Sequence, residues 1–439
     1  AVIGLYQRLG GDNYYRIRMP VYADIPGNAV PATEPDGTDP RGSLEEPYET
    51  IYALASGPNY NFGNMDAVYV AAYEVLYQAN DAIALLPDVP DGTAEQRSSL
   101  LGEALAIRAL IHFDLVRLFA QAPGFTADGS HAGVALIERV PGVFDLPARA
   151  SVAEVYTSIR RDLEEAEQLI DASFSQRSSK QIWLTPTVVR GLLARVTAYL
   201  KDWEACRDWA DRCLAGTDRE LTANANYVAE WTDNRPTESL WLLDMQRHAD
   251  EEEDSDSRIT TPSLIIGADN DFPFLQVRPD LLDRHPAGDV RRGLYVANER
   301  GDMVTRKWRF AEGEVRNPVL LRLAEIYLLR AEALAELGRD AEAREDYRQI
   351  RQRALPNATI PELSGAELLA AIREERRLEL AFEGHHFFDL SRWGADLERE
   401  ACPGSVIQCS LTYPDPLYVL PIPLDALLRN PNLTQNPGY

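Results

Sequence analysis

Apolar residues recur at helical spacing through most of this chain, and this pattern limits the possible folds more than any other feature. In the segment 65–86, Val68, Ala72 and Leu76 lie on one face of a helix that Pro87 ends. The same spacing predicts further helices at 100–119, 151–170, 185–200, 202–214, 318–337, 339–355 and 366–382. The chain is therefore predicted to be all-α dominated, with only a few short strands.

Two pairs of these helices have the spacing of tetratricopeptide units. The pair 318–355 places large and small residues where paired helices pack closely: Tyr327, Ala331, Leu334, Gly338, Ala343 and Tyr347. In the pair 185–214, Cys206 and Cys213 occupy equivalent places, two helical turns apart. That separation is too long for a disulfide, so both cysteines are predicted to be small core residues.

Three stretches lack helical periodicity, near 14–63, 124–147 and 215–317. Strand-like runs occur within the last of them, at 239–243, 293–296 and 303–308. Loops of this length usually carry function, so they are predicted to form a loop-rich ligand-binding region. Since no break clearly separates two domains, residues 1–439 are predicted to form a single domain with these insertions.

Charge and cysteine spacing exclude several classes of function. The formal net charge is −25, whereas a nucleic-acid-binding protein needs a basic face for the phosphates. No apolar run reaches the roughly 18–20 residues that cross a bilayer, and no CxxC pair indicates zinc. Cys402 and Cys409 flank a short Pro-Gly loop, and the sequence leaves open whether they form a disulfide.

Three C-terminal segments together resemble the SusD/RagB family. The first is 323–338, and the second is 372–394, which contains Phe-Glu-Gly-His-His-Phe-Phe-Asp. The third combines Tyr-Val-Leu-Pro-Ile-Pro at 418–423 with Asn-Pro-Asn-Leu-Thr-Gln-Asn-Pro-Gly-Tyr at 430–439. The helix at 102–119 is similar to the family's early helix, so the resemblance covers most of the chain.

This resemblance implies a SusD-like fold of tetratricopeptide-like helix pairs, with 372–439 as the C-terminal signature. It implies a non-catalytic, surface-exposed lipoprotein of the outer membrane that serves polysaccharide utilisation. Such a protein binds a glycan or a peptide and delivers it to a SusC-like TonB-dependent transporter. Residue 1 is not the lipidated cysteine of the family, so the anchor is expected to lie outside residues 1–439. The resemblance implies no cofactor.

The loop before the helix at 65–86 combines aromatic rings and amides. A neutral sugar presents an apolar ring face bordered by hydroxyls, which aromatic and amide side chains bind together. Starch-binding members of the family keep such residues at a similar place. The predicted ligand contacts in this loop are Asn59, Tyr60, Asn61, Phe62 and Asn64. Further predicted contacts are the aromatic residues Trp231, Phe272 and Phe274 of the stretch 215–317. Phe62 has the alternative role of a hydrophobic staple for the following helix.

Alternatives within and outside the family stay open. A peptide-binding member would use the same aromatic and amide residues, and a tetratricopeptide scaffold would bind only proteins. An α-helical glycoside hydrolase would need two carboxylates across a cleft, for which Glu325, Glu332 and Glu379 are candidates. Buried Arg–Glu pairing between packed helices explains these residues more simply.

Two motifs suggest metal sites. Adjacent His385 and His386 point in divergent directions, so the stretch 383–389 is predicted to be a structural turn. The acidic run 250–256 lacks the alternating ligands and central glycine of an EF-hand, which favours a solvated loop over a calcium site. We therefore predict no metal, with calcium as the one open possibility.

Overall fold

The computed structural model describes residues 2–16, 18–31, 54, 65–171, 173, 180–231, 236–245, 275–308, 317–399 and 409–439. The α-helices in this part of the chain are α1 (Val2–Leu9), α2 (Arg18–Asn28), α3 (Met65–Leu85), α4 (Ala94–Phe119), α5 (Val152–Leu169), α6 (Pro186–Tyr199), α7 (Trp203–Ala215), α8 (Tyr227–Glu230), α9 (Pro279–Asp283), α10 (Leu323–Glu336), α11 (Asp340–Ala354), α12 (Gly365–Leu380), α13 (His386–Trp393) and α14 (Leu424–Arg429). The short strands are β1 (Ala29–Pro31), β2 (Ala132–Ala135), β3 (Arg149–Ser151), β4 (Ser239–Leu242), β5 (Leu275–Val277), β6 (Tyr295–Ala297), β7 (Met303–Thr305), β8 (Val319–Arg322), β9 (Leu397–Glu398) and β10 (Ser410–Leu411). The prediction of a fold dominated by α-helices is confirmed.

Local sequence sets where these helices begin. Helix α4 begins at Ala94 rather than at Leu100 because Thr93 and Gln96 form a capping box, with backbone-to-side-chain distances of 3.2 and 2.9 Å. Its first turn is polar, so the apolar spacing did not reveal it. Ser151 forms a second capping box at the start of α5.

The two predicted helix pairs pack as tetratricopeptide-like units. Helix α6 packs against α7 and α10 packs against α11, while α10 also contacts α7 and α12. Cys206 and Cys213 are buried and free, as predicted, and burial raises the pKa of each thiol to about 12. Cys409 is disulfide-bonded, and Cys402 lies outside the described residues.

Three further boundaries from the sequence were wrong. Residues 319–322 form strand β8 rather than the start of a helix, because they pair antiparallel with β4. The stretch near 14–63 contains helix α2, which Pro26 and Gly27 had hidden. The stretch 383–389 was predicted to be a turn, but the turn ends at Gly384, whose φ of 80° suits glycine, and helix α13 begins at His386.

Antiparallel pairs of strands connect distant parts of the chain. Strand β1 pairs with β5, which joins the N-terminal segment to the insertion, and β4 pairs with β8. At the end of the second ladder, the Met245 N–H donates to Asn317 Oδ1 at 2.9 Å. The chain on either side of 246–316 is therefore tied together at its base.

The C-terminal tail packs on the end of α4. The Leu420 N–H donates to Leu118 O at 2.7 Å, and Asn436 Nδ2 donates to Phe119 O at 2.9 Å. Arg149 donates to Phe119 O at 3.1 Å and to Thr434 O at 3.0 Å. These bonds hold the tail beside α3, where the two elements enclose a groove.

Candidate ligand-binding site

The groove lies between the outward face of α3 and the tail that follows Tyr418, and its volume is about 1220 Å³. The inward face of α3 is buried through Val68, Val75 and Leu76. Two large apolar side chains remain on the outward face, with Val70 54% and Tyr77 50% exposed. Helix α3 is thus apolar on more of its surface than its core contacts require, which is typical of a binding face.

The tail forms a firm second wall. Pro421 and Pro423 hold the chain extended before α14, and Gln435 makes two hydrogen bonds with the backbone of Ile422, at 2.7 and 2.9 Å. Asn430 Nδ2 donates to Pro147 O at 2.8 Å, which ties α14 to the loop before β3. Both walls are therefore fixed by hydrogen bonds among the described residues before any ligand arrives.

Aromatic residues line the groove between these walls. The Tyr69 and Tyr73 rings lie 4.6 Å apart, and Tyr73 Oη donates to Ala135 O at 3.1 Å. Burial raises the pKa of both phenols, so they stay protonated and uncharged. Tyr439 closes the wall of the tail, where its hydroxyl donates to Val419 O at 2.6 Å. An apolar, aromatic surface with few polar groups suits the face of a sugar ring.

The groove also carries carboxylates. Asp66 stands in the first turn of α3 and Asp425 in the first turn of α14. Partial burial raises the pKa of Asp66, and the negative charge of Asp425 raises it further. Glu74 lies 3.3 Å from Arg8, an exposed ion pair at the rim. The interior of the groove is therefore weakly acidic.

Most of the ligand contacts predicted from the sequence lie outside the described residues, namely Asn59, Tyr60, Asn61, Phe62, Asn64, Phe272 and Phe274. Asn64 immediately precedes Met65, and Asp66 already lines the groove, so this segment leads into the groove helix. Phe274 precedes Leu275, the partner of Pro31 in the β1–β5 ladder. The binding roles of these residues stay predictions.

Trp231 lies in a buried cluster away from the groove. It is 7% exposed and packs with Tyr227 and Leu294. Lys307 Nζ lies 4.7 Å from the centre of its ring, and the Arg322 guanidinium lies 5.5 Å from it. These cations cover the ring, so its surroundings favour a packing role, and its predicted ligand contact stays a prediction.

Sequence reasoning missed the groove tyrosines, above all Tyr73 and Tyr77. The signal was present, because α3 carries apolar residues on two faces while a helix on a protein surface needs one. The apolar residues of the tail were assigned only to a family signature. Their pairing with α3 depends on tertiary contacts that spacing along the chain does not reveal.

The candidate catalytic carboxylates are held in buried ion pairs. Glu325 lies 2.7 Å from Arg195, Glu332 lies 2.6 Å from Arg392 and Glu379 lies 2.7 Å from Arg322. Burial alone would raise the pKa of Glu325 and Glu379, but the neighbouring arginines outweigh it and hold both below the usual value. Ionised, fully paired carboxylates have no proton to donate to a leaving group.

The stretch 383–389 is tied into the core. Burial lowers the pKa of His385 and of His386 well below the usual value, so both imidazoles are neutral. Asp389 pairs with Arg376 and Arg392, each at 2.8 Å. Within the ranges that the structure describes, no group of three or more His, Cys, Asp or Glu side chains could hold a metal ion. The acidic run 250–256 lies outside those ranges.

In the described part of the chain, no helix combines the length and the apolar character that crossing a membrane requires.

The sequence matches the family model described as "SusD family" over residues 306–439, and the one described as "Starch-binding associating with outer membrane" over residues 57–198. The two matches lie at opposite ends of the chain, and together they include both walls of the groove.

Similar proteins agree with these models. A SusD-like protein of Formosa agariphila is 27% identical, over 84% of this chain and 78% of its own. A SusD superfamily protein from Bacteroides vulgatus superposes with a TM-score of 0.85 at 26% identity, covering 100% of this chain and 97% of that one. A laminarin-binding SusD-like protein has the same fold, with a TM-score of 0.76 at 21% identity and coverages of 100% and 98%. This chain therefore belongs to the SusD-like family.

Proposed function

We propose that this protein binds a glycan in the groove between α3 and the tail, without cleaving it. The observation that carries the proposal is an open groove lined by Tyr73, Tyr77 and Tyr439, in a chain that belongs to the SusD-like family. The bound glycan then passes to a SusC-like TonB-dependent transporter at the cell surface. The family model that mentions the outer membrane supports this location.

The shape of the groove suits several sugar units. Its volume of about 1220 Å³ exceeds the range of roughly 300–1,000 Å³ that is typical of small-molecule pockets. Tyr73 and Tyr77 are one turn apart on α3, so their side chains lie on the same face of the helix, one after the other, about 6 Å apart along its axis. The predicted contacts Asn59 to Asn64 directly precede the first turn of the same helix in the sequence.

The placement of the buried carboxylates supports binding without cleavage. Glu325, Glu332 and Glu379 are buried in ion pairs, so among the described residues of the groove Asp66 and Asp425 are the pair that a hydrolase would use. The raised pKa of Asp66 is one property of a general acid, so the hydrolase alternative is tested directly at this pair.

The test is affinity electrophoresis in native gels that contain soluble polysaccharides, with the same mixtures assayed for released reducing ends. We expect retardation without product. Tyr77 is half exposed, so a sugar would cover roughly 60 Å² on one face of its ring, and at about 25 cal/mol per Å² Tyr77→Ala should weaken binding about tenfold. Tyr60→Ala tests the predicted loop independently.

The matched control is Phe144→Ala, because Phe144 is an exposed aromatic residue that does not line the groove. Equal weakening by both variants would refute the groove as the site. Product that disappears in Asp66→Asn would establish the hydrolase instead. If peptides retard the protein and no polysaccharide does, the peptide-binding alternative is favoured.

A further inference from the structure

The charges that line the groove are unevenly distributed. Its described lining residues include three carboxylates, Asp66, Glu74 and Asp425, against one guanidinium, that of Arg429. Glu74 is offset by Arg8 at the rim, at 3.3 Å. Asp66 and Asp425 belong to different elements, so the two walls of the groove each contribute one negative charge to the same space.

Among the described residues no arginine forms an ion pair with Asp66 or Asp425, although Arg429 and Arg149 keep their positive charges nearby. Arg429 stands at the last residue of α14, about 6 Å along the helix axis from Asp425. Arg149 lies behind Tyr69 and Tyr73 and donates to four carbonyl oxygens, those of Gly133, Phe119, Thr434 and Ala132. Its guanidinium therefore holds the walls together and does not face a ligand as a free donor.

We propose that Asp66 and Asp425 make the groove selective for uncharged glycans over anionic ones, such as uronates and sulfated polymers. The inference rests on the proposed function, because it requires the groove to be the glycan site. A uronate or sulfate bound in the groove would lie within about one Debye length of both carboxylates, which repel it. Stacking of a neutral sugar ring on a tyrosine face does not depend on the charge of these two carboxylates.

The net charge of −25 repels polyanions from the whole molecule, so a test must separate this general effect from the groove. Asp81 and Asp88 provide the matched control. Asp81 is exposed on α3 and Asp88 follows it, and neither lines the groove. The double variant Asp81→Asn/Asp88→Asn therefore removes the same charge as Asp66→Asn/Asp425→Asn, but outside the site.

The experiment compares polymers that share a backbone and differ in charge: laminarin with carboxymethyl laminarin, hydroxyethyl cellulose with carboxymethyl cellulose, and dextran with dextran sulfate. Affinity electrophoresis gives the ratio of neutral to anionic affinity for each pair. We expect a ratio of at least tenfold in favour of the neutral member at low salt. It should narrow in 0.5 M NaCl, where the Debye length is a few ångströms.

In Asp66→Asn/Asp425→Asn the ratio should fall to within about threefold, whereas the Asp81/Asp88 control should keep it. Equal or tighter binding of an anionic member by the wild-type protein would overturn this inference and leave the proposed function intact. The same ratio in both double variants would also overturn it. Retardation by no polymer of any pair would overturn the proposed function itself.

Discussion

Glu332 is the buried carboxylate whose removal best distinguishes a structural role from a catalytic one. It accepts hydrogen bonds from Arg392 at 2.6 and 3.1 Å and from Trp393 Nε1 at 2.6 Å. Through these bonds it joins helix α10 of a tetratricopeptide-like pair to helix α13 of the C-terminal signature. The side chains of Glu332 and Arg392 are buried, so the interaction is not weakened by water.

Glu332→Gln keeps the shape of the side chain but removes its charge and turns an amide NH₂ toward groups that can only donate. Removing one partner of a buried ion pair typically costs about 3–5 kcal/mol. Arg392 keeps a second carboxylate, because Asp389 lies 2.8 Å from it. We therefore expect the lower end of that range, a loss of about 3 kcal/mol in the free energy of unfolding.

Urea unfolding at pH 7, followed by far-UV circular dichroism, measures this loss. Glu336→Gln is the matched control, because Glu336 lies one turn further along α10 and its side chain is 28% exposed. Its ion pair with Arg373 should contribute no more than about 1 kcal/mol. Equal losses in the two variants, or a loss below about 1 kcal/mol for Glu332→Gln, would refute the structural role.

Three further variants test other parts of the fold. The His112 imidazole accepts the Ile137 N–H at 3.2 Å, and burial lowers its pKa to about 4, so the neutral ring stabilises the fold fully above pH 6.5 and this contribution is lost as the pH falls toward 4. When the pH falls from 7 to 5, the free energy of unfolding of His112→Gln should therefore decrease by about 2 kcal/mol less than that of wild type in urea unfolding. Equal decreases in the two proteins would contradict this. Gly384→Ala should lower the free energy of unfolding by roughly 1–2 kcal/mol, since φ is 80° and the new Cβ would lie 3.3 Å from the Cα of Pro20. An unchanged melting temperature would show that the turn relaxes. Phe144→Ser should change it by less than about 0.5 kcal/mol, because Phe144 is 93% exposed, and a loss above 1 kcal/mol in the same urea assay would mean that its ring is packed.

The helical scaffold could be predicted because its signals are local. The apolar stripe of α3, the Ser151 capping box and the small core residues Cys206 and Cys213 are each set by residues within a few turns. Strand β8 was missed because Val-Leu-Leu is equally compatible with a helix, and only its pairing with β4 decides the outcome.

The candidate site was less predictable. Loop composition predicts contacts at Asn59–Asn64, which lie outside the described residues, whereas the groove is built by two elements more than 300 residues apart in the chain, α3 and α14. Their contact depends on hydrogen bonds of the tail to α4, such as the one from Asn436 to Phe119 O. Trp231, whose ligand contact stays a prediction, lies in a buried cluster beside Lys307 and Arg322, and nothing in the sequence indicated these neighbours.

The closed base of the insertion has a consequence for how such proteins diversify. Met245 and Asn317 are bonded to each other, and between them β5 is fixed by its pairing with β1, so the chain from Met245 to Leu275 also runs between two fixed ends. Doubling a flexible loop between fixed ends costs only about 0.6 kcal/mol. Homologues can therefore vary the chain between Met245 and Leu275 and acquire new recognition there, whereas β5 and Lys307 stay part of the framework that the helices share.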